Sequence, residues 1–142
     1  MPLVNACNAD AVDVLQFLAD QDGVDLFEVD GLGRTLAHHA ALGGAPRCLL
    51  ELHVRGLSLA DVQQSTGMEP LFLAAQSGSL EAVMLCCEHG GTVNHITYTG
   101  CSPLFIAAKE KHMLVAKYLI SEMGADMVSL SLLLLIIIIV NN

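Results

Sequence analysis

At 142 residues the chain is long enough for one domain with a modest core and too short for two well-buried ones. Its 54% hydrophobic content excludes a disordered polymer. Six Lys and Arg against fifteen Asp and Glu leave a net charge of −9. That balance argues against a nucleic-acid partner, because affinity for phosphate backbones comes mainly from basic side chains that release counterions.

The charge imbalance is concentrated at the start. Residues 1–33 hold Asp10, Asp13, Asp20, Asp22, Asp25, Glu28 and Asp30, with no Lys or Arg. The plain reading is a solvated, solubilising surface; the alternative is a field that attracts a basic partner. The opening Met1-Pro2-Leu3-Val4-Asn5 has neither a basic nor an apolar leader region, so it is not a signal peptide. Cys7, Cys48, Cys86, Cys87 and Cys101 are odd in number and form no CxxC, and no Asn-x-Ser/Thr acceptor occurs. These features predict free, buried thiols in a reducing compartment, the cytoplasm or alternatively the nucleus.

Taken in chain order, the elements repeat. Pro2-Leu3-Val4-Asn5-Ala6-Cys7 falls 34 residues before Leu36-Ala37-His38-His39-Ala40-Ala41. The second copy, led by Gly33-Arg34-Thr35, is echoed by Gly67-Met68-Glu69-Pro70-Leu71-Phe72-Leu73-Ala74-Ala75 and again by Gly100-Cys101-Ser102-Pro103-Leu104-Phe105-Ile106-Ala107-Ala108. The leading glycines are 34 and then 33 residues apart. Each short apolar run ends in a small pair, followed in two copies by Gly44 or Gly78. A longer amphipathic stretch then stops at Gly23, Gly56, Gly90 or Gly124. In Leu80–His89 the apolar Leu80, Val83, Leu85, Cys86 and Cys87 leave Glu81, Glu88 and His89 for solvent, a helical spacing.

Each signature residue has a physical task. Thr35 and Ser102 are expected to cap a first helix, and Pro70 and Pro103 to open one where the missing N–H costs nothing. The Ala-Ala pairs permit close helix approach, and Gly90 and Gly124 suit left-handed helix ends. No unit can bury its own apolar face, so the units must stack.

This pattern resembles the ankyrin repeat, whose signature runs Gly-x-Thr-Pro-Leu-His-x-Ala-Ala, then Gly, then a Val-x-x-Leu-Leu helix ending in Gly-Ala-Asp. The resemblance covers residues 1 to 127 and implies an all-α solenoid of helix-turn-helix units joined by β-hairpin-like loops. The divisions are a partial unit at 1–29 and repeats at 30–63, 64–96 and 97–127. Leu36 replaces the family's proline; Phe72 and Phe105 replace its histidine, leaving His38 in that role. Glu69 replaces the capping Thr, Lys111 the inter-helix glycine, and Met123 reads as an insertion before Gly124. Leu36–Ala41 followed by Cys48-Leu49 is weakly similar to espin-type repeats, from which actin binding is not implied. Met1 stands where a capping Thr belongs, so the chain starts inside a unit, as a natural cap or as part of a longer gene product. Asn5, Asn8, Asp10 and Asp13 are the expected polar front.

Residues 128–142 follow no repeat logic. As a helix, their roughly 14 apolar-leaning residues reach about 21 Å, short of a bilayer core of about 30 Å. A membrane tether through residues 128–140 is therefore the alternative rather than the leading reading. A β-prone sticky segment is another, and readthrough past an exon end is favoured over both.

Chemistry-bearing constellations are missing. In Gly31-Leu32-Gly33 a dinucleotide loop would need glycine at 36, where Leu36 stands. Cys86, Cys87, His89, His95 and Cys101 invite a zinc reading, but adjacent helical cysteines point about 100° apart and suit a core better. No enzyme, cofactor or metal is expected. The resemblance implies a monomeric adaptor or scaffold that binds a protein partner on the concave face of hairpin tips and first helices. Carried over by position, that face comprises Leu32, Arg34, Leu42, Thr66, Met68, Gln76, Ser77, Tyr98, Thr99, Lys109 and Glu110, with Tyr98 and Arg34 of the types favoured at hot spots.

Overall fold

The structure, a computed structural model, describes residues 2–125. Among them eight helices follow one another and no strand occurs: α1 (Pro2–Asn8), α2 (Val12–Ala19), α3 (Leu36–Leu42), α4 (Pro46–Val54), α5 (Pro70–Ser77), α6 (Leu80–Glu88), α7 (Pro103–Lys109) and α8 (Met113–Ser121). They pair as antiparallel hairpins α1/α2, α3/α4, α5/α6 and α7/α8. First helices pack in one layer, α1 on α3 on α5 on α7, and second helices in another, α2 on α4 on α6 on α8. This is the expected all-α stack, in which contacts run between neighbouring units. Residues 128–142, on which the tether and readthrough readings bear, lie outside the described residues.

Local chemistry explains the helix boundaries. Thr35 accepts the His38 N–H, and the His38 ring accepts the Thr35 N–H at 3.1 Å, closing a reciprocal cap at the start of α3. Ser102 accepts the Phe105 N–H at 3.1 Å, and Ser79 does the same for Ala82 at 3.2 Å. Proline opens α4, α5 and α7. Gly90 and Gly124 take the left-handed conformation expected of them.

The turn between the paired helices needs a left-handed residue at one position. Gly44 (φ 62°) and Gly78 (φ 81°) supply it, and Asp10 (φ 52°) and Lys111 (φ 62°) take the same conformation in the other two units. Lys111 therefore preserves the turn geometry at a steric cost of roughly 1–2 kcal/mol. At Gly78 the need is double, because any Cβ would sit 2.6 Å from the His112 ring.

The core runs along the stack. Leu49, Leu52, Leu71, Leu104 and Leu119 are fully buried, as are the pairs Ala40–Ala41, Ala74–Ala75 and Ala107–Ala108. Of the expected polar front, Asn5, Asn8 and Asp13 are exposed, but Asp10 turns toward the next unit, where its carboxylate accepts the Cys48 N–H at 2.9 Å and pairs with Arg47 at 3.1 Å. Its left-handed backbone directs it there. Val14 and Phe17 are instead exposed on α2, at 49% and 67%.

Candidate protein-binding face

The face is built from three loop tips and the helices that follow them. Each tip is closed by backbone bonds at its starting residue: Asp30 N–H donates to the Arg34 carbonyl, Gln63 N–H to Met68 and Thr97 N–H to Cys101, while the carbonyls of Asp30, Gln63 and Thr97 accept from Gly33, Gly67 and Gly100, all at 2.8–3.0 Å. The residue that starts each tip also braces it through its side chain. The Asp30 carboxylate accepts the Leu32 and Arg34 N–H groups at 2.9 Å each and meets the His39 ring at 2.9 Å. Burial pushes the Asp30 carboxyl up, but the N–H groups of Arg34 and Leu32 and the His39 ring outweigh it and hold it below its ordinary value. Gln63 donates to Ser65 Oγ at 2.9 Å, and Thr97 Oγ1 accepts the Cys101 N–H at 3.2 Å. Three different residue types do one job, and for that reason no sequence repeat marks the position.

The tips are also tied to one another. Gln63 Nε2 and Ser65 Oγ donate to the Leu32 carbonyl at 3.2 and 2.8 Å. Tyr98 N–H donates to the Thr66 carbonyl at 3.0 Å, and the Tyr98 ring lies over Gly67, where an added Cβ would sit 2.6 Å from Cδ1. Behind the tips, His38 ties its unit to a backbone carbonyl of the next one. Its Nε2–H donates to the Met68 carbonyl at 3.0 Å, while Nδ1 accepts from Thr35 N–H and Thr35 Oγ1–H. Burial holds the His38 ring below its ordinary pKa.

Phe72 cannot repeat that tie, and the loop after α6 is instead held to the start of α5 within the 64–96 repeat. His95 Nε2 donates to the Gly67 carbonyl at 2.7 Å. Glu69 is 4% exposed and gives α5 no side-chain cap. Its carboxylate instead accepts the Thr92 N–H at 2.9 Å. His112 adds a further tie, donating to the Gln76 carbonyl at 3.0 Å. Sequence reasoning missed Glu69, His95 and His112 in these roles, since their partners are backbone carbonyls or N–H groups more than twenty residues away.

The eleven residues carried over from the resemblance divide into two groups. Leu32 (55% exposed), Leu42 (37%), Tyr98 (69%), Thr99, Lys109 and Glu110 are exposed at the tips or around the ends of α3 and α7. Arg34, Thr66, Met68, Gln76 and Ser77 are half-buried. Thr66 Oγ1 accepts the Met68 N–H at 3.3 Å, and Met68 packs on the core. Ser77 Oγ donates to Ala74 and accepts the Ser79 N–H, so it stabilises the turn. The Arg34 Nε is buried without a partner among the described residues.

The cysteines behave as core residues. Cys7, Cys48 and Cys86 are buried and Cys87 and Cys101 half-buried, all as free thiols. Burial pushes Cys7 and Cys87 up to about 11 and Cys48 and Cys86 up to about 12, which keeps them protonated at neutral pH. His89, expected to face solvent, is half-buried and stacks on His53 with ring centroids 4.0 Å apart. Among the described residues no three His, Cys, Asp or Glu side chains gather as a metal site requires, and no helix is long and apolar enough to cross a membrane.

Comparison with known proteins agrees with this architecture. A family profile described as ankyrin repeats in three copies matches residues 38–130, and one for ankyrin repeats in many copies matches residues 3–53. The mouse B-cell lymphoma 3 protein homolog is 32% identical over 124 residues, covering 85% of this chain and 28% of that protein. Human protein phosphatase 1 regulatory subunit 27 is 37% identical over 75 residues, 53% of this chain and 47% of that protein. The bovine SMC5-SMC6 complex localization factor protein 1 is 33% identical over 91 residues, 64% of this chain and 9% of that protein. The chain thus matches less than half the length of each of these relatives. Its repeats, its helix-pair stack and the two profile matches place it in one family: the chain belongs to the ankyrin-repeat proteins.

Proposed function

We propose that this chain is a non-catalytic adaptor or scaffold that binds a protein partner on the hairpin-tip and first-helix face. The observation that carries the reading is the contrast within that face. Its backbone is tied down by Gln63, His38, His95 and Glu69, while Leu32, Leu42, Tyr98, Thr99, Lys109 and Glu110 are exposed. A rigid support with two leucines, an aromatic and charges of both signs suits recognition, because little ordering entropy is lost on binding. The test is affinity capture with the full chain and its Tyr98→Ala and Lys109→Ala variants, read alongside melting temperature. Weakened capture at unchanged melting temperature is expected. Unchanged capture with a lowered melting temperature would make both residues structural.

A second, narrower reading follows from the human relative named as a regulatory subunit of protein phosphatase 1. On that reading the partner is that phosphatase, and direct binding of the purified enzyme tests it. We place the chain in the cytoplasm, with the nucleus as the alternative, a placement its five free thiols favour. Cell fractionation with and without residues 128–142 separates a soluble adaptor from a membrane-tethered one.

A further inference from the structure

We propose that the front of the stack carries a second docking site, which takes a basic peptide segment bearing one large apolar anchor. The inference rests on the reading of the chain as a protein-binding module and adds both a location and a class of partner.

A cavity of about 350 Å³ lies between the start of α1 and the first loop. Its apolar walls are Leu3, Val4, Leu18, Val24, Val29 and Leu36. Val29 is 53% exposed, so apolar surface continues beyond the cavity. The volume is at the low end of the range of about 300–1,000 Å³ for binding pockets, enough for a large side chain rather than an extended ligand.

The charges around it select the partner. Asp25, Glu28 and Asp30 line the cavity together with Arg34 and His39. Asp30 is occupied by two loop N–H groups and by His39. Asp25 accepts the Phe27 N–H; it and Glu28 are exposed and have no cationic partner among the described residues. Asp22, two residues before Val24 of the lining, is also exposed, and residues 1–33 contain no Lys or Arg. Arg34 is the single cation in the lining, half-buried with its Nε enclosed. The mouth is therefore acidic over an apolar floor, and complementarity calls for Lys or Arg flanking an apolar residue. The same charges disfavour two other occupants. A second copy brings a net charge of −9, and the chain's own residues 127–142 contain no Lys or Arg.

The test pans a library of random short peptides on the full chain and measures the enriched peptides by fluorescence anisotropy. Enriched sequences should pair Leu, Ile, Met or Phe with Lys or Arg, and should bind more weakly as salt rises. Both the double charge reversal D25K/E28K and the cavity-blocking Val29→Trp should raise Kd about tenfold or more, with melting temperature unchanged. Tyr98→Ala should leave this binding unaltered. A library that yields no binder, binders without basic enrichment, or binders indifferent to both variants would overturn the proposal. Peptides that lose affinity with Tyr98→Ala instead would support the hairpin-tip face and sink the front site. A captured partner that ignores Tyr98→Ala, alongside peptides that still need Glu28 and Val29, would do the reverse.

Discussion

The unit built from α5 and α6 and the unit built from α1 and α2 follow one plan and end in different states. In α5, Pro70, Leu71, Phe72, Leu73, Ala74 and Ala75 are all buried, because α3 packs on one side and α7 on the other. In the first unit α1 packs on α3, α2 buries Leu15 alone, and Val14 and Phe17 are exposed. A repeat sequence therefore specifies a helix pair, while stacking supplies the burial that stabilises it.

The largest way to break the comparison lies in the middle. Leu71→Ala, fully buried between neighbours, should cost about 2–5 kcal/mol in urea unfolding. His38→Ala removes both a helix cap and the tie to Met68, and should cost about 1–3 kcal/mol. Lys111→Gly relieves the left-handed strain and should raise stability by about 1 kcal/mol. Asp10→Gly, at the equivalent turn, should not, since it also deletes the carboxylate that holds Cys48 N–H and Arg47. Phe17→Ser in the end unit should stay within about 0.5 kcal/mol of the parent.

The His38 junction also carries a pH signature. The folded state holds the ring neutral, so the unfolded chain takes up the proton first as pH falls below about 6.5. Stability from this group is complete above that value and declines as pH falls toward the lower folded pKa. Protonation of Nδ1 would also remove the acceptor for Thr35. His38→Gln should flatten the stability profile in that window. A second decline belongs below about pH 4, where Asp30 and Glu51, both held low in the folded state, are protonated. For Glu51 the cause is chiefly the 2.7 Å bond from Arg55.

The fold was legible because its determinants are local and recur. Thr35 and Ser102 cap, Pro70 and Pro103 open helices, and the Ala-Ala pairs and glycines repeat with the period of the stack. The long-range ties, both within the 64–96 repeat and between units, were not legible. Glu69 reads as a poor cap until Thr92, twenty-three residues on, is seen to donate to it. His95 and His112 have no assignable partner until the fold brings the Gly67 and Gln76 carbonyls to them. Asp30, Gln63 and Thr97 share a task without sharing a residue type. The candidate face rests on position alone. Position could not separate the exposed Tyr98 and Leu42 from Ser77 and Met68, whose side chains stabilise the turn and pack on the core.

Oxidative footprinting of the chain bound to its captured partner tests the account most directly. Tyr98 at a loop tip, and Met84 and Leu114 on the second helices α6 and α8, are all exposed in the free chain, at 69%, 37% and 69%. The partner should shield Tyr98 and leave Met84 and Leu114 as reactive as before. Protection of Met84 and Leu114 with Tyr98 unchanged would place the partner on the opposite face and contradict the account.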